Sequence, residues 1–400
     1  MAKQGAQDEE SIQRFRKYLM IETVQPDPDY GPAVSFLEAQ ANQIGLMFHS
    51  VEVHTMKPVA IISWIGVQPE LPSIVLNSHM DVVPVFPDHW VHPPFSAYRA
   101  ENGNIYARGS QDMKCVGIQY LEAVRRLKAD GKRLKRSVHM TFVPDEEIGG
   151  HLGMKLYVQT EHFKSLNVGF ALDEGVASEN DVFAVFNAER NPWWMKVTCS
   201  GDPGHGSRFI ENTAIDKAVK IANNFLKFRA EQKKILESDE SLGLGDVISV
   251  NVTQWNGGVQ VNVVPSEFVL HIDVRVPPNV DFDELQRKFD RMINDAGDGV
   301  TVEYLMHSKS KSITPADSSN PYWNVFTSTM DQLDLKFKRT FFLGATDSRY
   351  LRDLGIPALN FSPMINTPVL LHDHNEYLND QVFIKGIYIY YRLIQNLADA

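Results

Sequence analysis

The sequence predicts an α/β protein: a mostly parallel sheet flanked by helices, with a smaller βαββαβ domain inserted into it. Three observations predict this. Short apolar runs alternate with amphipathic helical stretches through residue 187, the order of a parallel sheet with crossover helices. Four runs, SIVLNSHMD (73–81), VHMTFVPDEE (138–147), VGFALDEG (168–175) and PVLLHDHNE (368–376), end in an acid or a histidine. Buried strands of α/β sheets place such residues at their C-terminal edge, where ligands bind. Between residues 190 and 310 the order changes to strand, helix, two strands, helix and strand, which closes as a four-stranded antiparallel sheet with both helices on one face.

Taken in order, DEESIQRFRKYLM and AVSFLEAQANQIGL space apolar residues three and four apart around a PDPDYGP loop, predicting two helices within 8–47. SVEVHT and VAIISWIG read as a strand pair ahead of the run 73–81. CVGIQYLEAVRRLKADG, after Asp112, is an amphipathic helix that Gly131 would cap. The inserted segment reads as strand 193–199, helix 213–230, two strands hinged at Gly257 and Gly258, helix 281–296 and strand 299–305. A helix near 321–334, the strand PALNFS, the run 368–376 and a helix of about 380–397 close the chain. If His372 joins His79, residues 1–188 and 311–400 form one discontinuous domain and 189–310 the insert.

Composition excludes several classes of function. At 400 residues the chain exceeds the roughly 100–200 of one ordinary domain. Its 50 acids against 39 bases leave a net charge of −11 without long runs, which argues against a nucleic-acid surface and for small-molecule partners. Two cysteines, Cys115 and Cys199, make neither a disulfide framework nor a thiolate zinc site. No run of about 18 apolar residues predicts a membrane span, and the charged start MAKQGAQDEESIQRF lacks an apolar signal core, so a cytoplasmic location is expected.

With Asp112 from ARGSQDMK, the strand ends gather His79, Asp112, Glu147, Glu174 and His372 at one address. Two imidazoles and three carboxylates, one of them bridging, suit two divalent cations and a bridging hydroxide, and thiolate-free ligation is typical of catalytic zinc. Zinc is the expected metal, with manganese or cobalt able to substitute. Asp81, two residues after His79, is expected to accept the second ring N–H of that ligand. Glu146, beside the ligand Glu147, is expected to act as general base on the bridging water. His374 is expected to support a ligand or to be structural rather than to bind metal, because a sixth protein ligand would crowd the open position.

These residues lie in HMDVVP (79–84), ARGSQDMK, PDEEIGG (144–150), DEG (173–175) and H-x-x-N-E (372–376). With NPWW, GDPGH and ATDSRY, the pattern resembles the aminoacylase and carboxypeptidase-like family of co-catalytic zinc amidohydrolases over nearly the whole chain. The resemblance implies one zinc on His79, Asp112 and Glu174 and a second on Asp112, Glu147 and His372, with Asp81 and Glu146 catalytic. In that family the peptide after the bridging aspartate, here Asp112–Met113, is often cis. The resemblance also implies that the insert is a lid and homodimer surface, with His205 stabilising the oxyanion in the partner subunit's site. Asn262, Arg275, Thr346 and Arg349 match substrate-binding positions, Arg275 pairing the α-carboxylate. The implied substrate is an N-acyl-L-amino acid, N-acetylated and with a neutral side chain above all. A dipeptidase or carboxypeptidase is the alternative, and a silent binding protein is disfavoured because all five ligands and Glu146 are present. Met80 inside H-x-D and Gly206 after His205 depart from the family pattern without touching a ligand.

Overall fold

The computed structural model describes residues 2–400. Its largest sheet has eight strands in the order Met47–His54, Lys57–Trp64, Val138–Val143, Ser73–His79, Val168–Asp173, Ala358–Phe361, Val182–Glu189 and Lys336–Phe342. The four central strands, from Val138–Val143 to Ala358–Phe361, run parallel, and antiparallel pairs extend the sheet on either side. Every residue of Ser73–His79 and Val138–Val143 is buried, which is why these strands read as continuous apolar runs rather than as an alternation.

Helix Lys114–Ala129 lies against this centre and is buried along most of its length. Gly117 permits the contact: a Cβ there would lie 2.7 Å from Ser78 Oγ and 2.9 Å from the Phe142 ring. Helices Ala2–Leu19 and Asp380–Asp399 join the same core through Phe15 stacked on Phe383, their ring centroids 4.3 Å apart. Among the described residues no helix is long and apolar enough to cross a membrane.

The chain divides into two compact units, one of Met1–Asn187, Ile313–Arg339 and Ala345–Ala400, the other of Ala188–Ser312 and Thr340–Gly344. The second unit has an antiparallel sheet in the order Ser249–Gly257, Glu267–Val276, Asn191–Ser200 and Val300–His307. Alternate residues of Asn191–Ser200 are buried, and Trp193, Met195, Val197 and Cys199 pack with Ile221, Phe225 and Phe289 of helices Ala214–Ser238 and Phe282–Asn294. Thr213 and Asp281 cap those helices by accepting from backbone amides. A separate two-stranded ribbon pairs His205 with Val263.

One expectation fails here. The run 368–376 is not a strand: it belongs to a loop in which Asn366, His372 and Asn375 take left-handed backbone conformations. Its apolar residues PVLL look like a buried strand, yet Val369 is 47% exposed, so no sheet neighbour covers the segment. Among the described residues the only cis peptide is Gln25–Pro26, so Asp112–Met113 is trans.

Candidate metal centre

Three of the four parallel strands deliver the site at their C-terminal ends. His79 is the last residue of its strand, paired with Val143 in register. Glu174 directly follows Val168–Asp173, and Glu146 and Glu147 open a short turn after Val138–Val143. Asp112 lies in the loop before helix Lys114–Ala129, and His372 in the loop after Ala358–Phe361.

The five expected ligands converge as two groups that share Asp112. His79 Nε2 lies 3.0 Å from Asp112 Oδ1 and 3.4 Å from Glu174 Oε2. His372 Nε2 lies 3.3 Å from Asp112 Oδ2 and 3.0 Å from Glu147 Oε2. Within each group one donor atom from every residue falls within 4.8 Å of the others, an arrangement that suits one cation per group. The carboxylates of Asp112, Glu147 and Glu174 are nearly dry, whereas the His372 side chain is 56% exposed.

The electrostatics also favour cations. Burial, reinforced by Asp112, pushes the Glu147 carboxyl up to about 7 and Glu174 well above the carboxylate range. Burial likewise raises Glu146, with Glu174, Asp347 and Glu147 adding like charge. Hydrogen bonds that the His372 ring donates to Asp112 and Glu147 push its pKa up to about 10. Glu147 Oε1, buried, has no hydrogen-bond partner. Crowded carboxylates and an orphaned oxygen in a dry site are what a pair of divalent ions would relieve, so the residues present fit such a pair.

Asp81 acts differently from the expectation. The His79 Nδ1–H donates to the backbone carbonyl of Asp81 at 2.9 Å, while the nearer carboxylate oxygen is 3.6 Å away. That bond still fixes the tautomer and leaves Nε2 for a metal. The Asp81 carboxylate is instead occupied by the amides of Glu146 and Glu147, each at 3.1 Å, and by Gln25 Nε2 at 2.7 Å. It holds the turn that presents base and ligand together.

Sequence reasoning missed the rest of this brace. Asp145 takes a left-handed conformation, with φ 64°, at the start of the turn. Its Oδ1 accepts from Tyr30 OH at 2.8 Å, Lys57 Nζ at 2.9 Å and Gln25 Nε2 at 3.1 Å. Asp173, the first acid of DEG, accepts from the Glu174 amide, Asn77 Nδ2 and Ser348 Oγ. The one local signal was that PDEE carries one acid more than ligand and base require, and DEG one more than the metal requires.

The other expected residues are placed as follows. Thr346 is fully buried and its Oγ1 accepts from Asn360 Nδ2 at 2.8 Å. Arg349 donates to the Gly149 carbonyl, behind the Glu146–Ile148 turn. In the second unit His205 is exposed, its Nδ1 accepting from the Ser207 amide at 3.2 Å. Asn262 sits beside it, accepting from the Gly206 amide through its backbone carbonyl at 2.8 Å. Arg275 is paired with Asp273 through two contacts of 2.8 and 3.1 Å and lies over the Trp194 ring. His374 stacks on His89 with ring centroids 4.8 Å apart.

A sequence profile of peptidase family M20/M25/M40 matches residues 75–396, a span that includes all five ligands. The chain belongs to this family. It is 50% identical to Aminoacylase-1 of Homo sapiens over 399 residues, covering 100% of this chain and 98% of that protein. It is 42% identical to Aminoacylase-1 of Dictyostelium discoideum, with 98% of each chain covered. Among solved structures, a dinuclear metal-binding peptidase of the M20 family from Bacillus subtilis superposes with a TM-score of 0.71 over 98% of each chain at 14% identity, a likeness of fold. With family and donor set in hand, the protein is a metal-dependent hydrolase.

Proposed function

We propose that this protein hydrolyses N-acyl-L-amino acids, N-acetylated and with neutral side chains above all, to a free L-amino acid and a carboxylate. The observation that carries the reading is the doubled metal triad with Glu146 on the turn that also bears Glu147. Full-length identity of 50% to a protein named Aminoacylase-1 supports the substrate class.

His79, Asp112 and Glu174 would hold one ion and Asp112, Glu147 and His372 the other, zinc by choice with manganese or cobalt as substitutes. Bound there, the ions supply Lewis acidity that eases deprotonation of the attacking water and offsets charge developing on the amide oxygen. Glu146 takes the proton from that water and returns it to the departing nitrogen. Burial raises the carboxyl of Glu146, which makes it a better proton acceptor than a surface glutamate.

His205 is assigned to oxyanion stabilisation in the partner subunit of a homodimer, and its Nδ1 contact with the Ser207 amide leaves Nε2 to donate. Arg275 and Asn262 are assigned to the substrate's carboxylate end, Arg275 exchanging Asp273 for it. Thr346, already committed to Asn360, and Arg349, committed to Gly149, serve substrate binding by holding their loop. A cytoplasmic location suits Cys115 and Cys199, both buried and unpaired.

The test compares N-acetylmethionine with a panel of dipeptides on metal-loaded protein. Preference for the acetylated amino acid is expected; a strong preference for dipeptides would replace this reading with a dipeptidase.

A further inference from the structure

The ligands Asp112 and His372 come from two loops without regular structure, 260 positions apart, and His372 is held in a left-handed conformation. Something must fix their separation, and the structure has one buried group placed to do so. Glu376, four residues after His372, is fully buried and is not among the ligand atoms.

Its carboxylate accepts from five donors of the Asp112 loop. Oε1 receives the Gln111 amide at 2.6 Å, the Asp112 amide at 3.3 Å and Ser110 Oγ at 3.4 Å. Oε2 receives the Gly109 amide at 3.0 Å and Arg108 Nη1 at 2.8 Å. Gly109, at φ +87°, takes a backbone conformation that favours glycine. The Glu376 carbonyl accepts from the Ala107 amide at 3.1 Å, and from Tyr377 onward the chain pairs with Asn104–Tyr106.

A second fastening runs the other way. Gln111 donates to the Pro368 and Tyr377 carbonyls and accepts from the Leu370 amide. The loop carrying His372 is thus fastened at both ends to the loop carrying Asp112. His79 and Glu174 need no such device, because each stands at or next to the end of a central strand.

We propose that Glu376 is a positioning residue that sets the separation of Asp112 and His372 and so builds the second of the two cation positions. An anion is required there because amide protons, a hydroxyl and a guanidinium all converge on it, and a glutamine would turn an NH2 group toward donors. The inference rests on the two-ion reading of the site.

The experiment titrates metal-free protein with zinc in a calorimeter. Wild type should take up two ions; uptake of one would overturn the two-ion reading together with this proposal. In Glu376→Gln the more weakly held ion should lose about 10–100-fold in affinity while the other stays within roughly 3-fold. Glu376→Asp, which keeps the charge but falls short of the loop, should lie between the two. If Glu376→Gln fails to fold, Gln111→Ala removes the second fastening and should weaken the same ion selectively. Equal weakening of both ions, or two unchanged affinities, would overturn the proposal while leaving the N-acyl amino acid reading intact.

Discussion

The His79–Asp112–Glu174 triad takes two of its ligands from the ends of central strands, whereas the Asp112–Glu147–His372 triad takes none from a strand end directly. The first is buried throughout; in the second the His372 side chain is 56% exposed and stands on a left-handed residue. Both offer a cation the same number of carboxylates and imidazoles, so the difference lies in what holds the ligands. Strand ends inherit their rigidity from the sheet ladder, while turns depend on buried polar fasteners: Asp81 and Asp145 for Glu147, Glu376 for His372. A pair of metals can therefore share a bridging carboxylate and still differ in how readily each leaves.

The largest expected effect treats the two triads alike. Glu146→Gln should lower turnover about 10²–10⁴-fold with both ions retained, since it removes a proton carrier and no ligand; rate assays paired with metal counting check this, and near-normal turnover would remove Glu146 from the mechanism. The next effect separates them. Under stepwise chelation one ion should leave first, and His372→Ala should eliminate that early step while His79→Ala eliminates the later one. The reverse assignment would mean that strand-end rigidity does not govern retention.

A pH experiment probes the rigid side of the site. His139, on the fully buried strand Val138–Val143, is pushed down to about 4 by burial and by His162. Between its unfolded value near 6.5 and about 4, the unfolded chain binds a proton that the folded one refuses, so stability present above the window is lost as pH falls through it. On the order of 3 kcal/mol is at stake, and denaturant melts of His139→Asn against wild type from pH 7 to 4 should show the flatter curve for the variant. Parallel curves would mean that His139 is not the group responsible.

The smallest effect concerns the fasteners of the Glu146–Glu147 turn. Gln25→Ala removes a donor shared by Asp81 and Asp145, and should cost about 1–2 kcal/mol of stability and roughly 10-fold in turnover. A variant equal to wild type in both would show that the Asp81 contacts to the two amides suffice.

Much of this was legible in the chain because burial on both faces writes itself as an apolar run, and the C-terminal ends of such runs mark the ligand edge. His79, Glu147 and Glu174 follow from that rule, and the strand, helix, strand, strand, helix, strand order of the second unit follows from period and turn chemistry. PVLLHDHNE misled for the same reason: four apolar residues before a histidine suit a strand, and nothing local reveals that the sheet offers no neighbour there. Asp81 misled in a finer way, since the carbonyl and the carboxylate of one residue compete for the His79 ring and only the folded chain decides that the carbonyl wins.

Residue type and spacing thus determined which side chains could bind metal and that a parallel sheet would carry them, because periodicity and donor chemistry are properties of a short stretch of chain. Tertiary structure alone decided how those side chains are held. Gln25, Tyr30, Lys57 and Glu376 reach their partners across 56 to 268 positions, and a hydrogen bond between distant residues leaves no period, composition or motif behind.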